Sequence, residues 1–263
     1  MIRRSKTFRE RLRQSFYPYY ISTAPLRPLP NAVILGGMKC GTTSLNAWLR
    51  EHPDVAFSSV KETHYFDKHY QRGLRWYQTH FPLWERWQGA HCTLEATPAY
   101  LYRADRVAAR MHAQIPEARL VVMLRDPVKR AISHYRHLRR NGKEHRAPEL
   151  ALLSDFASDG RRENPYKSRG LYAKQIKEFL HFYNRSQLLI LKSEEFFARP
   201  AATYEQVQRF LGLNLMPLPT GSEARNVSSK QQPIPQDVSD HLAHFYQQPN
   251  HELSLLLPDF SGW

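Results

Sequence analysis

The residues with the clearest capacity for chemistry lie between Ala32 and Leu49, in the run AVILGGMKCGTTSLNAWL. A short apolar stretch ends in Gly36-Gly37-Met38-Lys39-Cys40-Gly41-Thr42-Thr43, and a helical pattern follows at once. A strand, a glycine-rich turn and a helix N-terminus together offer backbone N–H donors and the positive end of a helix dipole to a phosphate-like group. The usual nucleoside-triphosphatase loop reads G-x-x-x-x-G-K-[ST]. Here Gly36 and Gly41 keep the glycine spacing, but Thr42 follows directly and the lysine has moved inside the loop, to Lys39. Such a loop suits a 5′-phosphate carrying a transferable group of low charge, with Lys39 beside the bridging oxygen and Gly37, Cys40, Gly41, Thr42, Thr43 and Ser44 around the anion.

A second set of anion-binding residues follows the apolar run Arg119–Leu124. Arg125 stands at the carboxyl end of that expected strand, where open α/β sheets place their ligands. Asp126 is the expected N-cap of the next helix, with Pro127 at its first position. On that helix Lys129, Ser133, Arg136, His137 and Arg140 recur at three- and four-residue spacing and share a face. Arg125 by bidentate contact and Ser133 by its hydroxyl can hold a second phosphate. Taken alone, such a face is more commonly a solvated surface. Its meaning comes from the first loop on the same sheet.

The elements that must position these groups alternate short apolar strands with helical patterns, so an α/β fold is expected: a single P-loop-like domain with a central parallel sheet flanked by helices. Strands are expected at 32–35, 92–95, 119–124 and 187–191. Helices are expected from Thr42 to near His52, over 73–81, 103–114, 148–158, 170–183 and 201–211, after Pro127, and over 237–256. Proline at positions 18, 25, 28 and 30 marks residues 17–31 as an extended lead-in. Trp76, Tyr77, Trp84 and Trp87 fit either sugar stacking or a core. Residues 1–30 form a basic arm, and residues 31–263 one domain.

The chain has 263 residues and a net charge of +14, of which the arm holds +6: seven Lys and Arg against Glu10. Nucleic acid, an anionic membrane surface and acidic small molecules or glycans are the partners that such charge admits. No zinc-finger or RNP-like spacing supports specific nucleic-acid binding. Phe8, Leu12 and Phe16 recur at helical spacing in the arm, which leaves a peripheral membrane contact open. No apolar run approaches the roughly 18 residues of a membrane span. The two cysteines, Cys40 and Cys92, make no disulfide framework, and a cytoplasmic setting is expected.

Read together, GGMKCGTTSL and VVMLRDPVKRAISHY resemble the two nucleotide-binding segments of sulfotransferases that use 3′-phosphoadenylyl sulfate (PAPS) and release adenosine 3′,5′-bisphosphate (PAP). KETHYFD, GLRWYQTHFP, LEATPAY, RGLYAKQIKEFL and the NVSSKQQP-to-FSGW tail follow the order of the heparan sulfate branch and its bacterial relatives, over about residues 31–263. The resemblance implies that Lys39 and the loop hold the 5′-phosphosulfate, that Arg125 and Ser133 hold the 3′-phosphate, and that Lys230 lies on a loop covering the nucleotide. It implies that Glu62 is a general base, with His64 and Asp67 beside it. From residue context alone Glu62 is an ordinary surface glutamate. In an extended segment, period 2 would put Glu62 and His64 on one face.

The implied reaction is sulfuryl transfer without a metal, to a hydroxyl or amine of a carbohydrate or glycolipid acceptor. Ala96 stands where the glycosaminoglycan members carry a lysine, and Lys230-Gln231-Gln232 where they carry a K-G-R run. A small-molecule kinase using ATP, with Asp126 linked to Mg²⁺, and a basic nucleic-acid- or membrane-binding protein remain the alternatives.

Overall fold

A computed structural model of the chain describes residues 16–83, 89–155, 164–219, 233–260 and 262–263. Its centre is a five-stranded, all-parallel sheet in the order β2-β3-β1-β4-β5. The strands are β1 (Ala32–Gly36), β2 (Val55–Phe57), β3 (Cys92–Ala96), β4 (Arg119–Leu124) and β5 (Leu188–Lys192). The three-residue β2 lay outside the sequence expectation, being too short to show a period.

Alternation along the strands divides the core. Val33 and Leu35 of β1, with Leu120, Val122 and Leu124 of β4, pack on Val107, Met111, Ile176 and Phe179. Their neighbours Ala32, Ile34, Val121 and Met123 point to the other face, onto Leu45, Trp48, Tyr204 and Val207. Both faces are covered by helices, which is why the strands read as unbroken apolar runs rather than as alternation. No helix among the described residues is long and apolar enough to cross a membrane.

β1 lies between β3 and β4, so the chain leaves the middle of the sheet in both directions. That is a topological switch point, the place where open α/β sheets hold ligands outside the carboxyl ends of their strands. The glycine loop follows β1 there, and Arg125 follows the adjacent β4.

Several elements depart from expectation. The lead-in over 17–31 is helical at Tyr17–Ser22 and a 3-10 turn at Ala24–Leu26. Pro18 falls in the first turn of the helix, where a missing N–H costs nothing. The helix expected over 148–158 ends at Leu153, and the helix expected over 103–114 is found at Ala104–His112, preceded by a further short one at Ala99–Tyr102. Tyr77 is fully buried, so it is core and not a sugar platform, with the half-buried Trp76 packed beside it; Trp84 and Trp87 lie outside the described residues.

Candidate active site

The turn after β1 has the shape that its sequence implied. Gly36 adopts φ +137°, and a Cβ there would come within 2.6 Å of the Pro98 carbonyl oxygen. Lys39 takes φ +74°, a left-handed value, and Gly41 at φ +96° leads into helix Thr42–Leu49. The Ser44 and Leu45 amides donate to the Gly41 carbonyl, whereas Thr42 and Thr43 have no carbonyl one turn back, so their amides are donors aimed out of the helix N-terminus. Lys61 Nζ donates to Thr43 Oγ1 at 3.2 Å, adding an ammonium to the rim.

Arg125 crosses to this loop. Its Nη1 donates to the Lys39 carbonyl at 3.3 Å, and its own carbonyl accepts the Tyr172 hydroxyl at 2.9 Å. Lys39, Gly41, Thr42, Thr43, Ser44, Glu62, His64, Arg125 and Ser133 all line one cavity of about 1690 Å³. Lys129, Arg136, His137 and Arg140, the remaining members of the expected basic face, line it as well. The Lys39 ammonium is pushed below the ordinary lysine range, chiefly by burial and then by Arg140 and Arg125. A pocket of mutually repelling cations with helix amides beside it has the chemistry of a site for a multiply charged anion, and a nucleotide with two phosphates fits that donor set.

Two expected ligands are placed otherwise. The Cys40 side chain is fully buried, 3.9 Å from the Tyr172 hydroxyl, and its amide donates to the Gly37 carbonyl. Burial pushes its thiol up to about 11, which leaves it inert. The Gly37 amide is likewise spent, on the Met123 carbonyl. Neither residue lines the cavity, and both shape the turn from beneath. Lys230 lies outside the described residues.

Residues 61–67 are not extended. Glu62 (φ 59°) and His64 (φ 52°) are both left-handed, and a π-helical turn follows at Tyr65–His69. The alternation argument therefore fails, yet this tight turn still brings the two side chains together. His64 Nε2 lies 3.6 Å from Glu62, and Nδ1 is 3.1 Å from Asp67. Hydrogen bonding to Asp67, then to Glu62, raises the imidazole to about 9, so it stands as a cation between two carboxylates. Its contact holds Glu62 below the usual carboxylate range, with Lys61 adding to the effect.

Asp126, the candidate magnesium-linked carboxylate, instead caps its own helix, accepting from the Val128 and Lys129 amides at 2.9 and 3.0 Å. Its amide donates to Glu194 Oε1, and Glu194 lines the cavity. The sequence reading missed Lys61, Tyr172 and Glu194. Lys61 adjoins KETHYFD and was open to notice; the other two come from distant segments with no local signal.

A family model described as a sulfotransferase domain matches residues 29–251. The chain belongs to the sulfotransferase family. This sulfotransferase domain is 35% identical over 189 residues to heparan sulfate glucosamine 3-O-sulfotransferase 6 of Homo sapiens, covering 71% of this chain and 53% of that protein. It is 35% identical over 197 residues to heparan sulfate glucosamine 3-O-sulfotransferase 3B1 of Mus musculus, with coverage of 74% and 49%. The chain spans about half the length of these curated relatives. Among solved structures, a sulfotransferase from Alicyclobacillus acidocaldarius superposes with a TM-score of 0.69 at 28% identity, covering 88% of this chain and 96% of that one.

Proposed function

We propose that this sulfotransferase domain moves a sulfuryl group from PAPS to a hydroxyl of a carbohydrate acceptor, in line, with Glu62 as general base. The observation that carries the reading is that the glycine loop, the Arg125–Ser133 segment and the Glu62–His64–Asp67 cluster open into one cavity. PAPS supplies the activated sulfuryl group when bound. The loop amides and Lys39 would hold its 5′-phosphosulfate, and Arg125 with Ser133 its 3′-phosphate.

As the acceptor oxygen bonds to sulfur, the bond to the bridging phosphate oxygen breaks, and Lys39 offsets the charge left on that oxygen. Glu62 takes the acceptor proton, a contribution of roughly 10²- to 10⁴-fold. His64, held by Asp67, orients Glu62 and keeps it ionised. Positioning and charge stabilisation carry most of the remaining catalysis, as in loose phosphoryl transfer.

The relatives named for heparan sulfate support a glycan acceptor, and the cations Lys61, Lys68 and Arg103 along the same cavity suit an acidic one. Ala96, where the resemblance puts a lysine in the glycosaminoglycan members, is buried at the end of β3, and among the described residues Lys61 brings an ammonium to the glycine loop through Thr43.

Calorimetric titration with PAP, against ATP with and without Mg²⁺, tests the donor. Tight, metal-independent binding of PAP is expected. Preference for ATP with Mg²⁺ would overturn the reading.

A further inference from the structure

Glu95 is fully buried in β3 among four hydroxyl groups. Its Oε1 accepts from Thr63, from Thr97 at 2.7 Å and from Tyr100 at 2.9 Å, and its Oε2 accepts from Tyr77. Burial pushes the carboxyl above the usual carboxylate range, and the four hydroxyls pull against it. These donors come from separate parts of the chain: the 61–67 turn, helix Gly73–Gln78 and the segment that follows β3. An acidic group in a sheet interior is costly to bury even when satisfied, and an apolar side chain would serve packing better.

What distinguishes this cluster is its proximity to the turn that bears Glu62. Thr63 sits between Glu62 and His64, two non-glycine residues in the left-handed region. That conformation persists only where the surroundings over-determine it. Besides the backbone bonds that the Lys68 and His69 amides donate to the His64 carbonyl, three constraints run to Glu95 or to the residue after it. Thr63 Oγ1 donates to Glu95 while accepting the Tyr65 amide at 3.3 Å. Tyr100 Oη donates to Glu95 while accepting the Phe66 amide at 3.3 Å. The Glu62 amide donates to the carbonyl of Ala96, the residue after Glu95, at 3.2 Å.

We infer that Glu95 is a positioning residue for the Glu62–His64 pair: through Thr63 and Tyr100 it fixes the left-handed turn that brings both side chains together at the cavity. The inference deepens the proposed reaction, and rests on it for what Glu62 does once placed. The placement itself can be read without nucleotide or acceptor.

The readout is the titration midpoint of the His64 imidazole by proton NMR, assigned by comparison with His64→Gln. The titratable groups acting on that ring are Glu62, Asp67, Lys68 and His69. Thr63→Val and Glu95→Gln are each expected to lower the midpoint by about one pH unit, tenfold in proton affinity, as the Glu62 carboxylate leaves the ring. Thr63→Ser should restore the parental value. In a Glu62→Gln background neither substitution should add a further shift. A parental midpoint in Thr63→Val overturns the inference, as does a drop of equal size when Glu62 is already Gln. Should Glu95→Gln fail to fold, Thr63→Val decides, since it leaves three of the four hydroxyls on Glu95. Absence of PAP binding would sink the proposed reaction and leave this result standing.

Discussion

The guanidinium of Arg125 donates to the carbonyl of Lys39 across 3.3 Å, so two segments 86 positions apart in sequence meet directly at the switch point of the sheet. With its own carbonyl held by Tyr172, Arg125 is fixed at the backbone while its side chain spans both halves of the anion site. Arg125→Ala should therefore weaken PAP binding by roughly 10- to 100-fold, about 1.5–3 kcal/mol for a charge-assisted contact. Calorimetry on the folded variant checks this. Parental affinity would remove Arg125 from the nucleotide site.

Lys39 offers a pH test. Burial first, then Arg140 and Arg125, depress its ammonium, so it sheds its proton below the ordinary lysine range. An anion on the loop favours the charged form, so binding should draw a proton in. PAP affinity should fall as pH rises through the depressed value, and the binding heat should depend on the ionisation enthalpy of the buffer. Lys39→Arg should abolish that buffer dependence, because a guanidinium stays charged throughout.

The residues that announced the site were those whose chemistry is local. An apolar run followed by Gly36 to Thr43, and another ending in Arg125-Asp126-Pro127, each carry strand, turn and helix signals within a dozen or so residues. The sheet and its two flanking layers follow from the same alternation. Legibility ended where contacts are long-range. Nothing around Glu95 in T-L-E-A-T tells of hydroxyls arriving from Thr63 and Tyr77. Cys40 counted as a ligand because it lies in the loop, yet a turn must send some side chain inward, and here it is the thiol. Glu62 and His64 did meet, through left-handed backbone rather than through strand alternation, a geometry that no pattern of polar residues encodes.

Gly36 supports the loop sterically. At φ +137°, with the Pro98 carbonyl oxygen 2.6 Å from any Cβ, an alanine faces both backbone strain and a backbone clash. Gly36→Ala should cost about 1–3 kcal/mol, read as a lowered midpoint in denaturant unfolding. It should weaken PAP binding as well, since the carbonyl can relax only by shifting the turn.

Glu62→Gln separates chemistry from binding. The amide keeps the shape of the side chain but cannot take a proton, so turnover should fall by roughly 10²- to 10⁴-fold while PAP affinity stays at the parental level. Parental turnover would dismiss Glu62 as the base.

The His64–Asp67 contact should also be visible in stability. Asp67, then Glu62, raises the imidazole to about 9, above the ordinary histidine value of 6.5, so the folded state holds its proton more tightly than the unfolded chain. That contribution is whole below the ordinary value and is lost as pH rises through about 9. Relative to His64→Gln, the parent should gain its full margin in mildly acidic solution and give it up in mildly alkaline solution. Denaturant unfolding of both proteins across that window tests the sign: a margin that grows with pH would mean that His64 is neutral in the fold, and would remove the cation from between the two carboxylates.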